Sequence, residues 1–289
     1  MSNTVLYITT VLIWGSTWLA IEYQLGVVEP EVSIVYRYLI ASSVLFIYCK
    51  IKNLSLLFKV TSHFWFVLLG AFLFGLNYVF AYRAQVHITS ALAAIAFSTM
   101  LWINIILSRL FFGTRAGRRV LTGAALGIVG IVTLFAPQVR EVSLSDSVFF
   151  GSVLALLGAT MASMGNMVSQ GAQARELPVM QANAWGMLYG AILTAVIALA
   201  RGQEFNFDGT FTYIASLTYL AVFGSVVAFG AYLTLLGRIG AHKAGYATVM
   251  FPVVALFLSI VFEGLSLDWY IVIGTALVLF GNFLVLKER

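Results

Sequence analysis

The side chains able to do chemistry in this sequence are aromatic and ionisable groups set deep inside apolar runs. Trp14 and Trp18, Tyr78 and Tyr82, and Trp185 and Tyr189 recur at i and i+4, so each pair shares one face of a helix. Trp102 lies near the centre of another apolar run. An indole N–H at membrane depth needs an acceptor that hydrocarbon cannot supply. These tryptophans and tyrosines are therefore candidates for a protein-lined cavity, with packed-core and lipid-facing placements as the alternatives. Thr160, Ser163 and Asn166 form a polar stripe at i, i+3 and i+6, flanked by Met161, Met164 and Met167. Such a stripe serves either as glue between helices or as the wall of an adaptable pocket. Asn77, Ser98, Thr99, Asn104 and Asn183 are further inward polar candidates. Charges inside a span are costly, which singles out Arg37 and Glu22 near one end of their runs. They could pair across a tight hairpin, snorkel outward, or handle a substrate or proton.

Other chemistries find no residues. Cys49 is the lone cysteine, and His63, His87 and His242 fall at the ends of apolar runs without ligand spacing, so no metal site is expected. There is no phosphate-binding loop, nucleotide fingerprint or nucleophile triad, which argues against an enzyme and against a bound cofactor.

The elements that must position these residues follow from composition. The chain has 289 residues, 61% hydrophobic and 9% charged, against roughly 25% charged in a soluble domain. That much apolar surface calls for a lipid bilayer as solvent, hence an all-α, multi-pass membrane protein. Ten helices are predicted at Val5–Gln24, Val32–Lys50, Ser62–Tyr82, Ser90–Phe112, Arg118–Ala136, Ser147–Gly171, Val179–Ala200, Phe211–Leu236, Lys243–Phe262 and Trp269–Leu286. The first run lacks a basic leader and reads as a span rather than a cleaved signal. With the N-terminus cytoplasmic, 12 of the 16 Lys and Arg residues fall on the inside and only Arg83, Arg140 and Arg201 outside, with Arg37 left within the second span. The positive-inside rule then puts both termini in the cytoplasm of a bacterial-type inner (plasma) membrane. The net charge of +5 is thus assigned to topology, and no nucleic-acid partner is expected.

The chain also resembles itself. Tyr82, Ala91, Ala94, Met100 and Phe112 are matched 150 residues later by Tyr232, Ala241, Ala244, Met250 and Phe262. Gly123, Ala125, Leu126 and Gly130 are matched at spacing 151 by Gly274, Ala276, Leu277 and Gly281. Two five-helix repeats are expected, residues 1-137 and 147-289. Five is odd, so the second copy enters the membrane from the opposite face and the repeats are inverted, a common construction among alternating-access carriers.

Trp14-Gly15-Ser16-Thr17, Arg37 with Tyr38 and Ala41, and Ser259 to Glu263 followed by Gly274 to Gly281 resemble the EamA-type transporters of the drug/metabolite transporter superfamily. The resemblance implies secondary transport of small metabolites. It is loosest where Trp102 and Gly113 stand opposite Pro252 and Glu263 of the second copy. The expected function is export by alternating access, with amino acids, aromatic or hydrophobic ones especially, as the small-molecule substrate. Aromatic walls equally suit organic cations or drugs, such as quaternary amines, driven by a proton gradient. A monomer and a homodimer are both compatible with the small-residue spacings Gly123/Gly127 and Gly186/Gly190.

Overall fold

The structure, a computed structural model, describes residues 1–88, 93, 96–134, 136, 146–262 and 268–287. All regular structure among them is helical. In chain order the helices are α1 (Asn3–Glu22), α2 (Pro30–Ile51), α3 (Val60–Gln85), α4 (Met100–Phe112), α5 (Arg118–Leu134), α6 (Asp146–Gln173), α7 (Val179–Ala200), α8 (Phe211–Ile239), α9 (Ala247–Phe262) and α10 (Trp269–Lys287). Six of them, α1, α2, α3, α6, α7 and α8, are long and apolar enough to cross a membrane. The helix satisfies its own backbone groups, which is what lipid demands. The exposed side chains include Ile106, Leu110, Val129, Val132, Phe149, Ile192, Val196, Phe280 and Phe283, an apolar exterior of the kind that faces acyl chains.

Local signals set the helix ends. The Ser2 hydroxyl accepts from the Val5 N–H to cap α1, Pro30 opens α2, and the Thr210 hydroxyl accepts from the Tyr213 N–H to cap α8. The α8 helix stops at Gly240, whose φ of 82° lies where a Cβ is unwelcome.

Three features differ from the expected spans. Helices α3 and α8 each contain a wide π turn, at Gly70–Leu76 and Leu220–Val227, about one repeat length apart. In α8 the Ser225 hydroxyl donates to the Leu220 carbonyl five residues back at 2.9 Å, which matches the π spacing. The ninth span does not begin at Lys243. A single turn, Ala241–Ala244, precedes α9, and the break buries Tyr246, whose hydroxyl donates to the Val278 carbonyl of α10 at 3.0 Å. The predicted start of the fourth span at Ser90, the repeat positions Ala91 and Ala94, and Glu263 lie outside the described residues.

Helix α5 packs along α10, and α7 packs along α2 and α3. Helix α1 contacts α8 and α9, while α6 contacts α3 and α4. The α5–α10 contact is backbone against backbone. A Cβ added to Gly123 would lie 2.6 Å from the Gly281 carbonyl, and one added to Gly281 would lie 2.6 Å from the Gly123 carbonyl. Gly130 and Gly274 meet in the same reciprocal way, at 2.8 and 2.7 Å. Because the earlier residue of α5 meets the later one of α10, the two helices run antiparallel.

Candidate functional site

Helices α1, α3, α4, α6, α8 and α9 line a cavity of about 70 Å³. That is room for a few water molecules, well below the ~300 Å³ at which ligand pockets usually begin. Its wall is aromatic. Trp14 meets Phe229 at 4.7 Å, Tyr232 at 4.9 Å and Phe251 at 5.3 Å between ring centroids, mostly edge-on. Trp18 meets Phe97 edge-on at 5.3 Å, and Tyr78 completes the wall from α3. The Trp14 indole N–H finds the acceptor that lipid lacks, the Gly224 carbonyl at 3.0 Å, inside the π turn of α8.

Two polar groups interrupt this wall with unused capacity. Asn77 donates its amide to the Leu73 carbonyl at 3.2 Å, which fixes the orientation of the group, since a carbonyl only accepts. Its Oδ1 is buried and has no partner among the described residues. Asn166 donates to the Tyr232 hydroxyl at 3.0 Å and to Asn104 Oδ1 at 3.3 Å, and its own Oδ1 is likewise unpartnered. A buried acceptor without a donor is costly, so both oxygens are suited to an incoming N–H.

Directly behind this wall lies Arg37, 1% exposed. Its Nε donates to the Ser225 hydroxyl at 2.9 Å, and its two terminal nitrogens donate to the Tyr82 and Tyr78 hydroxyls, each at 3.4 Å. The guanidinium carbon stands 4.6 Å from the Tyr78 ring centre, a cation–π contact. No carboxylate is within ion-pair distance among the described residues.

Of the sequence candidates, the structure brings Trp14, Trp18, Asn77, Tyr78 and Asn166 together around the cavity. Others stand elsewhere. Glu22 is exposed and forms no pair with Arg37, because Arg37 turns into the bundle toward Ser225 rather than along the hairpin toward the end of α1. Tyr82 is buried against Arg37, and Ser163 donates to the Met100 carbonyl at 3.4 Å, tying α6 to α4. Trp102 stays half-buried against the core outside the cavity. Met100 supplies the wall there, and two residues further along a helix points to nearly the opposite face. Trp185 and Tyr189 stack at 5.9 Å as their spacing predicts, but on a face that meets α3 and the α2–α3 loop. Tyr189 there bonds His63 Nδ1 at 2.7 Å, and the Trp185 indole donates to the Leu56 carbonyl at 3.2 Å.

Sequence reasoning missed Tyr232, Phe229, Phe251 and Ser225. A signal existed for Tyr232, the repeat partner of Tyr82 at spacing 150. Ser225 had none, since its role depends on the π turn.

At the N-terminal end of α2, the wholly buried Glu31 carboxylate accepts two bonds from Arg83 of α3, at 2.9 and 2.7 Å. Gln203, between α7 and α8, donates to Glu31 at 2.8 Å, and Arg201 lies 3.8 Å from it. This cluster ties the two chain halves at one end of the bundle. Among the described residues no group of His, Cys, Asp or Glu side chains is arranged to hold a metal ion.

Comparison with known proteins agrees with this architecture. An uncharacterized transporter of Bacillus subtilis, YoaV, is 22% identical over 96% of this chain and 94% of its own length. An uncharacterized inner membrane transporter of Escherichia coli K12, YedA, is 26% identical over 94% and 89%. A solved crystal structure superposes with a TM-score of 0.79 at 18% identity, covering 98% of this chain and 96% of its own, a likeness of fold alone. The sequence profile of the EamA-like transporter family, a family of transporters and not enzymes, matches residues 2–136 and again 149–287. Matched twice by one family along nearly its whole length, the chain belongs to the EamA-like transporter family.

Proposed function

We propose that this protein is a bacterial-type inner-membrane exporter of small amphipathic metabolites, amino acids with aromatic or hydrophobic side chains foremost, working by alternating access between two inverted five-helix repeats. The observation that carries the reading is the aromatic cavity with the unpartnered oxygens of Asn77 and Asn166, lined jointly by α1, α3 and α4 of the first half and α6, α8 and α9 of the second. Flat rings stack on a flat side chain, and free carbonyl oxygens receive an ammonium. The cavity's small volume supports a cycle in which the halves separate to admit cargo and close around it.

Inversion is supported by the antiparallel, reciprocal glycine contacts of α5 and α10 and by the two π turns at corresponding places. The matched packing of α1 on α8 and α9, and of α6 on α3 and α4, points the same way. In this reading ten spans cross the membrane with both termini cytoplasmic. Single cysteines at Lys59 and Glu204 are expected to label from opposite sides of the membrane, and labelling of both from one side would sink the topology.

The rival cargo, an organic cation, is favoured by the same rings and oxygens. The deciding measurement is uptake of labelled amino acids and of labelled aromatic amines into proteoliposomes, with and without a pH gradient. Saturable amino-acid flux supports the reading; amine flux alone moves the assignment to the cation carrier; no saturable flux of either refutes both.

A further inference from the structure

We infer that Arg37, acting through Tyr78, gives the cavity a preference for ligands that carry a carboxylate, so that an acid is selected over its amide and over the corresponding amine. The inference rests on the cavity being the substrate site.

A positive charge at this depth is retained only with a function or a partner, and Arg37 has no anionic partner among the described residues. The acids nearest in the chain are committed or turned away. Glu31, on the same helix, and Glu29 just before it are held by Arg83, and Glu22 is exposed at the end of α1. The groups that do face the guanidinium, Ser225 from α8 and Tyr78 and Tyr82 from α3, are neutral hydroxyls. Of its five N–H groups, two have no acceptor among the described residues. The buried hydroxyl of Tyr38, 0% exposed and beside Arg37, is also unpartnered. The network thus holds a full positive charge and spare donors with nothing among the described residues to receive them.

Tyr78 connects that network to the cavity. Tyr78 lines the cavity, and its hydroxyl accepts from Arg37. A phenol that accepts from a guanidinium is polarised to donate more strongly, and the low dielectric strengthens the pull of the charge behind it. Asn77, the preceding residue on α3, offers an acceptor to the same cavity. Donor and acceptor on adjacent residues suit a carboxylate and an ammonium on one carbon. An uncompensated Arg37 repels a ligand that is only a cation.

The test compares four probes with one aromatic body: L-phenylalanine, its amide, phenethylamine and 3-phenylpropionate, each as transported label and as competitor in proteoliposomes. In the unmodified protein the acid is expected to exceed the amide and the amine by about tenfold or more, the effect of one hydrogen bond to a charged group. Arg37→Gln is expected to erase that preference while amine handling is retained, and Arg37→Lys to keep part of it. Amide or amine handled as well as the acid by the unmodified protein overturns the inference, yet leaves the aromatic site standing. Equal loss of all probes in Arg37→Gln, with Arg37→Lys no better, makes Arg37 a structural clamp on the π turn and also overturns it. If no probe is transported or competes, the site reading falls and this inference with it. The comparison in the unmodified protein needs no variant to fold.

Discussion

Replacing Arg83 by Gln tests whether the Glu31 cluster holds one end of the bundle shut. Glu31 is 0% exposed and Arg83 only 24%, with two short bonds between them. Removing one partner of a buried pair costs about 3–5 kcal/mol because the other charge is left without a counterion. Here Gln203 still donates to Glu31, and Arg201 stays at 3.8 Å but is 56% exposed and counts for little. The expected penalty is therefore about 2–3 kcal/mol. It falls only on conformations that keep Glu31 buried; one that opens this end hydrates the carboxylate and escapes it. At about 1.4 kcal/mol per decade, the closed-to-open ratio should drop by roughly thirty- to a hundredfold. The assay is the labelling rate of Ala81→Cys, which lines the cavity, by an impermeant maleimide added outside, in a Cys49→Ala background. Arg83→Gln should accelerate labelling strongly. Glu31→Gln/Arg83→Gln, which leaves no orphaned charge, should return most of the way. No acceleration in the single variant, or equal acceleration in the double, would refute the reasoning.

Two smaller perturbations follow from the same structure. Trp14→Phe keeps a ring in the wall but loses the bond to the Gly224 carbonyl, worth about 1 kcal/mol; half-saturation for the transported ligand should weaken about fivefold, and an unchanged value would remove Trp14 from the site. Gly274→Leu puts a Cβ 2.7 Å from the Gly130 carbonyl and from the Leu134 backbone nitrogen, atoms that cannot yield. Overpacking of this kind costs about 1–3 kcal/mol, so heat-induced loss of monodisperse protein should occur several degrees lower, whereas Leu279→Ala on the exposed face of α10 should melt like the parent.

The helices were legible because the bilayer writes them into composition, and the candidates were legible only as far as a single helix carries them. Trp14 and Trp18, and Trp185 and Tyr189, share faces as their spacing demands, yet which neighbour each face meets is decided by packing between distant segments. Arg37 illustrates the limit. Its cost was evident in the sequence, but a neighbour in the chain was the only partner sequence could suggest, whereas Ser225 lies 188 residues away. The π turns left no mark, since a helix with one extra residue per turn has the same apolar composition as one without. Tyr232 was within reach, because the repeat that paired it with Tyr82 marked two aromatic groups now seen buried, Tyr232 against Trp14 and Tyr82 against Arg37.

The seam between α5 and α10 works as a dovetail joint. With two pairs of glycines pressed against each other's carbonyls, neither helix can slide by a residue, about 1.5 Å, without driving a side chain into backbone. The joint supplies no residue to the cavity wall. Frame and cavity are thus separate parts of the molecule: a substitution in the aromatic wall leaves the joint untouched, and one in the joint takes no side chain out of the wall.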